Sequence, residues 1–289
     1  MQKKIIATFL ILSLSFAFLS AKEKNTPIPK RIVCLAPNGA EILYAIGCGE
    51  KIVARTDYCD FPKEVLKVPS VGGFDGKSFS AESVLAYNPD FVYLVDGMHN
   101  HLLDILNQFG IPHYESKAIS IDSIYTEIEQ ISAIMGCTEH GKKLIKKLKS
   151  ELAEITITEK NKTKPRVYVE IFSSPYMSIG KNSFMNDVIN SAGGTNIFSD
   201  LDQSYPQVSD EAVIIRNPDF IIVPYYSTLQ IETMYERDGW QSVSAIKNRK
   251  ICAIEENIFS RPGPRFVEAV RLVKEILEES HEVAGSINE

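Results

Sequence analysis

Residues 80–91 read S-A-E-S-V-L-A-Y-N-P-D-F, and residues 209–220 read S-D-E-A-V-I-I-R-N-P-D-F. Ser80 and Ser209, Glu82 and Glu211, Val84 and Val213, Asn88 and Asn217, and Phe91 and Phe220 all stand 129 positions apart. A solenoid unit recurs every few tens of residues. A period this long has the size of a domain. The repeat therefore constrains the chain to two related α/β halves in tandem, and two halves that face each other make a cleft.

Within each copy the residues spell a short helix, a turn and a buried strand. Ser80 and Ser209 are of the type that caps a helix. Glu82 and Glu211 then fall in the first turn, where the helix dipole favours a carboxylate. That local role accounts for both glutamates. Their equivalent placement, one per half, also makes them a matched pair of docking points. In the Asn-Pro-Asp turns, proline fixes φ while Asn and Asp are expected to bond back to the local backbone.

Short apolar runs at 31–35, 52–55, 91–95, 166–171, 220–223 and 251–254 read as buried strands. Helical patterns lie between them, so the sheets are expected to be mostly parallel. Asn38 and Glu41 have the spacing of a capping box for the first helix, which Gly47 ends. A helix over 120–135 closes the first half, and one after Pro264 runs to about residue 279. Between the halves, Leu144, Ile145, Leu148, Leu152 and Ile155 fall on one helical face. Apart from Gly141 the segment holds no glycine or proline, so it predicts a stiff strut of about 30 Å. The expected organisation is a signal peptide at 1–21, a tail at 22–30, an α/β lobe at 31–137, a connecting helix at 138–160 and a second α/β lobe at 161–289.

Lys3 and Lys4 precede an apolar run from Ile5 to Leu19, and small residues follow it. This is the pattern of a secretory signal peptide, too short for a comfortable membrane span. No cysteine follows the cleavage point, so no lipid attachment is expected. Removing Lys3 and Lys4 takes Lys+Arg from 31 to 29 against 37 Asp+Glu, a net charge of about −8. That acidity argues against a nucleic-acid partner. Five cysteines (Cys34, Cys48, Cys59, Cys137 and Cys252) are an odd number without C-x-x-C spacing. They read mostly as small buried hydrophobes, with room for one bridge.

Ligands of α/β sheets sit beyond the carboxyl ends of the strands. Four segments should emerge there, and they carry Tyr58, Phe74, Tyr205 and Phe259. One aromatic in a loop is commonly a packing residue; four at converging strand ends read as a flat-walled apolar pocket. Arg261 and Arg265 are placed to meet anionic groups of a ligand, or, for Arg265, backbone carbonyls. His99 and His101 form a loop that could ligate a metal, although no carboxylate or cysteine stands at a set distance. The sequence holds no G-x-S-x-G elbow, P-loop, G-x-G-x-x-G after a strand or H-E-x-x-H. An enzyme is not expected; an exported metal-dependent hydrolase using His99 and His101 is the remote alternative.

R-I-V-C-L-A-P-N-G-A-E-I-L-Y-A-I-G at 31–47, T-D-Y-C-D-F-P at 56–62, Y-P-Q-V-S-D-E at 205–211 and F-S-R-P-G-P-R at 259–265, in this order, resemble the periplasmic substrate-binding proteins of ABC importers. The likeness covers about residues 31–279 and is strongest to the cobalamin-binding branch of a family that also serves iron–siderophores and haem. It implies two Rossmann-like lobes bridged by one long rigid helix, with the ligand in a shallow cleft between them. It implies a monomer without an intrinsic cofactor, whose ligand is a metal chelate: cobalamin, a ferric siderophore or haem. Tyr58 and Phe74 would line the cleft from one lobe, and Tyr205, Asn257 and Arg261 from the other. Glu82 and Glu211 would meet arginines of an inner-membrane permease. Phe74 and Tyr205 stand where cobalamin binders tend to carry tryptophan, Val95 replaces a bulky aromatic, and Asn257 replaces an acid. A receptor for a bare transition-metal ion such as nickel, held through the His99/His101 loop, is the other alternative.

Overall fold

A computed structural model describes residues 27–156, 163–224 and 228–282. The expected signal peptide, the first part of the tail, and residues 157–160 of the expected connector lie outside the described residues.

The first half runs β1 (Ile32–Cys34), α1 (Pro37–Ala45), β2 (Ile52–Arg55), α2 (Ala81–Leu85), β3 (Phe91–Val95), α3 (Leu103–Gln108), β4 (His113–Ser116) and α4 (Ile121–Ile134). Helix α5 (Thr138–Ile155) follows. The second half runs β5 (Arg166–Val169), the ribbon strands β6 (Phe172–Ser173) and β7 (Tyr176–Met177), α6 (Phe184–Ser191), β8 (Thr195–Asn196), α7 (Asp210–Arg216), β9 (Phe220–Val223), α8 (Thr228–Tyr235), α9 (Ser244–Lys247), β10 (Ile251–Ala253), α10 (Glu256–Phe259) and α11 (Phe266–Glu282).

The four-stranded sheets are ordered β2-β1-β3-β4 and β8-β5-β9-β10. Counted along each half, both orders are 2-1-3-4, and every pairing in them is parallel. The sequence repeat is thus a repeat of topology: β3 and β9 are equivalent strands, and each pairs with the first strand of its own half. Strands β1 and β9 are buried at every residue, as parallel strands covered on both faces must be.

The repeated segment does the same work twice. Ser80 Oγ accepts from Ser83 N at 3.3 Å, and Ser209 Oγ accepts from Ala212 N at 3.3 Å. Asn88 and Asn217 hold φ of 47° and 41°, a left-handed conformation that asparagine tolerates better than most residues. The aspartates differ from the expectation. Asp90 does not bond back locally; its carboxylate accepts from Lys30 N and Arg31 N at 2.8–3.0 Å. Asp219 likewise accepts from Arg166 N at 2.8 Å. Each clasps the entry of the neighbouring first strand, where free backbone donors need partners.

Helix α5 is apolar on the face that carries Leu144, Ile145, Leu148, Leu152 and Ile155, all packed in the core. It does not bridge the halves alone. It packs on α4 and α11, and Lys274 on α11 donates to Ile155 O at 2.6 Å. Tyr125 of α4 meets the Phe266 ring edge-on at 5.8 Å between centroids. Ile121 N donates to Asp187 of α6 at 3.1 Å. One continuous apolar cluster contains Ile32, Cys34 and Tyr93 together with Val167, Val169 and Ile222. The two sheets therefore share a core, which restrains their separation more firmly than a rod would.

Candidate ligand cleft

The carboxyl ends of the first sheet's strands converge on a cleft of about 670 Å³ whose far wall is built by the second half. Pro37 and Asn38 follow β1, Tyr58 follows β2, Asp96 follows β3, and Lys117 to Ile119 follow β4. Opposite them stand Tyr205, Glu256, Asn257, Ser260, Arg261 and Pro262. Five expected site residues, Tyr58, Phe74, Tyr205, Asn257 and Arg261, line this one hollow.

The aromatic wall is presented rather than packed away. Tyr58 is 51% exposed and Tyr205 49%. Tyr58 and Phe74 lean together, centroids 5.8 Å apart. Phe74 is held by His99. Nδ1 of His99 accepts from Val95 N at 3.0 Å, so the ring proton sits on Nε2 and is donated to Phe74 O at 3.0 Å. Burial lowers the imidazole's pKa and keeps it neutral. This corrects the expectation of a metal loop. Both His99 nitrogens are engaged, and the His101 ring packs near Phe79. Among the described residues, no three His, Cys, Asp or Glu side chains gather to hold an ion.

The arginines are committed to acids. Arg261 donates to both Asp60 oxygens, at 2.5 and 3.2 Å, and to Asn257 Oδ1 at 2.6 Å. Arg265 lies outside the cleft lining. Its Nε and Nη2 bond Glu41 Oε1 at 3.1 and 2.6 Å, and its guanidinium stacks 4.2 Å over the Phe61 ring. Both pairs join the first half to the second. Lys117, the other cation in the lining, faces Asp96 at 3.4 Å. Phe259 is not a wall residue: its side chain is wholly buried in the shared core. Glu256 and Asn257 of α10, and Ser260 and Arg261 just after it, line the cleft, while Phe259, the last residue of α10, turns inward.

Sequence reasoning missed the floor of the cleft. Helix α1 starts at Pro37 after Ala36 and has no side-chain cap. The expected capping box is absent because tertiary partners take both residues. Glu41 turns to Arg265. Asn38 Nδ2 donates to Ser116 Oγ and to Glu127 Oε1, each at 2.9 Å. Ser116 gives its hydroxyl proton to Glu127 Oε2 at 3.0 Å, and Tyr93 OH donates to Glu127 Oε1. Burial pushes the Glu127 carboxyl's pKa up against these three donors. Gly39 permits the arrangement, since a Cβ there would stand 2.7 Å from the Tyr93 ring.

Glu82 and Glu211 are exposed on α2 and α7, away from the cleft lining. Hydrogen bonds from Ser80 hold the Glu82 carboxyl below its ordinary pKa; for Glu211 its own backbone N–H does so first, with Ser209 adding to it.

Two parallel sheets, a shared core and a cleft at their facing ends define a two-lobed binding protein. A family model described as periplasmic binding protein matches residues 32–258. The chain belongs to that family. Its relatives include an uncharacterized ABC transporter substrate-binding lipoprotein, YvrC of Bacillus subtilis. That protein is 31% identical, over 86% of this chain and 79% of the relative. A vitamin B12-binding protein of Vibrio parahaemolyticus is 29% identical, over 92% and 96% of the two chains. The crystal structure of a possible iron-binding (periplasmic solute-binding) protein from Staphylococcus epidermidis superposes with a TM-score of 0.79 at 27% identity. That match covers 87% of this chain and all of the other.

Proposed function

We propose that this protein is the exported receptor of an ABC importer, and that it captures a corrinoid-type metal chelate in the cleft. The signal segment at 1–21 carries it out of the cytoplasm. The first cysteine, Cys34, is buried within β1, so a lipid anchor on it is incompatible with the fold. Exposed Glu82 and Glu211 then present the loaded receptor to the permease, one contact per half.

The observation that carries the ligand class is the chemistry of the lining. Flat aromatic faces come from both halves, while the cations Arg261 and Lys117 already face Asp60 and Asp96. A ligand rich in carboxylates or catecholates would need uncommitted cations. The lining instead offers amides of fixed polarity. Both N–H groups of Asn38 are donated inward, which leaves Oδ1 as an acceptor. Asn257 Oδ1 is taken by Arg261, which leaves its NH₂ as a donor. An acceptor and a donor on opposite walls suit peripheral carboxamides. That favours a corrinoid, whose rim carries them, over haem with its propionates. Capture requires no turnover, and the stiff shared core limits the ordering cost of binding.

Calorimetric titration with cyanocobalamin, haemin, a ferric hydroxamate siderophore and Ni²⁺ tests the assignment. Cyanocobalamin should bind one to one with a Kd of about 1 μM or tighter, and at least tenfold tighter than haemin. Tight haemin or Ni²⁺ binding without cyanocobalamin binding overturns it.

A further inference from the structure

Two of the five cysteines occupy the same position in two copies of one backbone device. Helix α1 ends at Gly47, φ 79°, and Cys48 N returns to Leu43 O at 2.7 Å. Helix α4 ends at Gly136, φ 69°, and Cys137 N returns to Ser132 O at 2.8 Å. These are glycine-terminated Schellman ends, and each cysteine follows the left-handed glycine. The bonds fix both backbones and aim the thiols at one another: Cys48 Sγ and Cys137 Sγ are 3.7 Å apart, 89 positions apart in the chain.

We propose that Cys48 and Cys137 are a redox-modification site, closed to a disulfide once the protein meets a disulfide-bearing oxidant outside the cytoplasm. A disulfide needs about 2.05 Å between sulfurs, so the thiols approach by about 1.7 Å, within the reach of side-chain rotation. Cys137 is the half-buried member and Cys48 the buried one. The Cys137 thiolate attacks one sulfur of the oxidant's disulfide, forms a mixed disulfide and expels one thiolate. The Cys48 thiolate then attacks Cys137 Sγ and expels the second. Two protein thiols lose two protons and two electrons, and the oxidant's S–S bond becomes two thiols. Burial, and then the Cys48 neighbour, push the Cys137 thiol up to about 11. Exchange is therefore slow at neutral pH and quickens as pH rises. The bond would tie the far end of α1, whose near end floors the cleft, to the start of α5.

Cys34, at the end of β1, and Cys59 also touch, but both are wholly buried, and Cys59 Sγ donates to Cys34 O at 3.5 Å. No oxidant reaches them in the folded protein. Cys252 lies on β10 in the other sheet.

The folded protein is incubated with oxidised glutathione at pH 8.5, denatured without reductant and alkylated with iodoacetamide. Three of the five cysteines should take the label, and the intact mass before alkylation should be about 2 Da below that of the reduced chain. Cleavage after glutamate isolates Cys48 in 42–50 and Cys137 in 130–139, and these two peptides should be recovered joined. Cys48→Ser should abolish the mass loss while leaving cyanocobalamin titration unchanged. Five labelled cysteines, or a bridge between Cys34 and Cys59, overturns the proposal whatever the ligand proves to be.

Discussion

Replacing Arg265 by methionine removes the partner of Glu41 and keeps most of the side chain's apolar length. The Glu41 side chain is 2% exposed, and Arg265 Nη2 is 2.6 Å from its Oε1. Its Oε2 has no hydrogen-bond partner. Removing one member of a buried pair costs about 3–5 kcal/mol, because a desolvated charge is left behind. Proton uptake caps that loss. Burial already raises the Glu41 pKa despite Arg265 and Arg261, and without Arg265 it rises further. A carboxyl neutral in the fold but ionised when unfolded costs about 1.4 kcal/mol for each pH unit above about 4.3. The ceiling is thus about 4 kcal/mol at pH 7 and about 1 kcal/mol at pH 5. The sign follows from a raised folded pKa: stability from this group is full below the unfolded pKa and is lost as pH rises through the folded one. Urea unfolding followed by circular dichroism at both pH values gives the difference by linear extrapolation. R265M should lose about 3 kcal/mol at pH 7 and about 1 at pH 5. Adding Glu41→Leu should recover all but about 1 kcal/mol, since both charges are then gone. An equal loss at the two pH values, or a double variant no better than the single, refutes the reasoning.

Tyr58→Ala and Tyr205→Ala should each weaken cyanocobalamin binding about tenfold, or about 1.4 kcal/mol; their half-exposed rings should leave the urea midpoint nearly unmoved, and a large fall in stability would place them in the core instead. The Glu82→Ala/Glu211→Ala variant should keep its cyanocobalamin Kd within about twofold while uptake by cells that carry the permease falls; lost affinity would count against a docking role. Gly39→Ala should cost about 1–3 kcal/mol by overpacking, because the Tyr93 ring 2.7 Å from the new Cβ is tied to Glu127 and cannot retreat; a thermal shift equal to wild type would mean that the ring is free.

The sequence made the two-sheet plan legible because β1, β3, β5 and β9 are buried runs and the N-P-D repeat marks equivalent strands. Ser80 and Ser209 act as caps through bonds that span only a few residues, so local spacing revealed them; Ser120 caps α4 in the same way but was read only as the start of a helix. Strand β4 escaped notice because H-Y-E-S carries no apolar pattern and only Ser116 is buried. Strand β8 has only two residues. Aromatic loops after strands located the cleft, since that relation follows from topology alone. Partnerships across the fold were out of reach. Arg261 meets Asp60 across 201 positions and Arg265 meets Glu41 across 224, so neither arginine's neutralisation could be read locally. Asn38 and Glu41 mimic a capping box because local spacing is blind to Ser116, Glu127 and Arg265. Phe259 was misplaced because its neighbours on the cleft face are polar, and only the helical phase of α10 turns it inward.

Hydrogen–deuterium exchange with and without saturating cyanocobalamin tests the central claim, that one small molecule is gripped from both halves of a duplicated fold. Slowed exchange should appear together in segments 56–75 and 95–119 on one wall and in 203–207 and 255–263 on the other. Protection confined to a single half, or binding that protects neither wall, would contradict it.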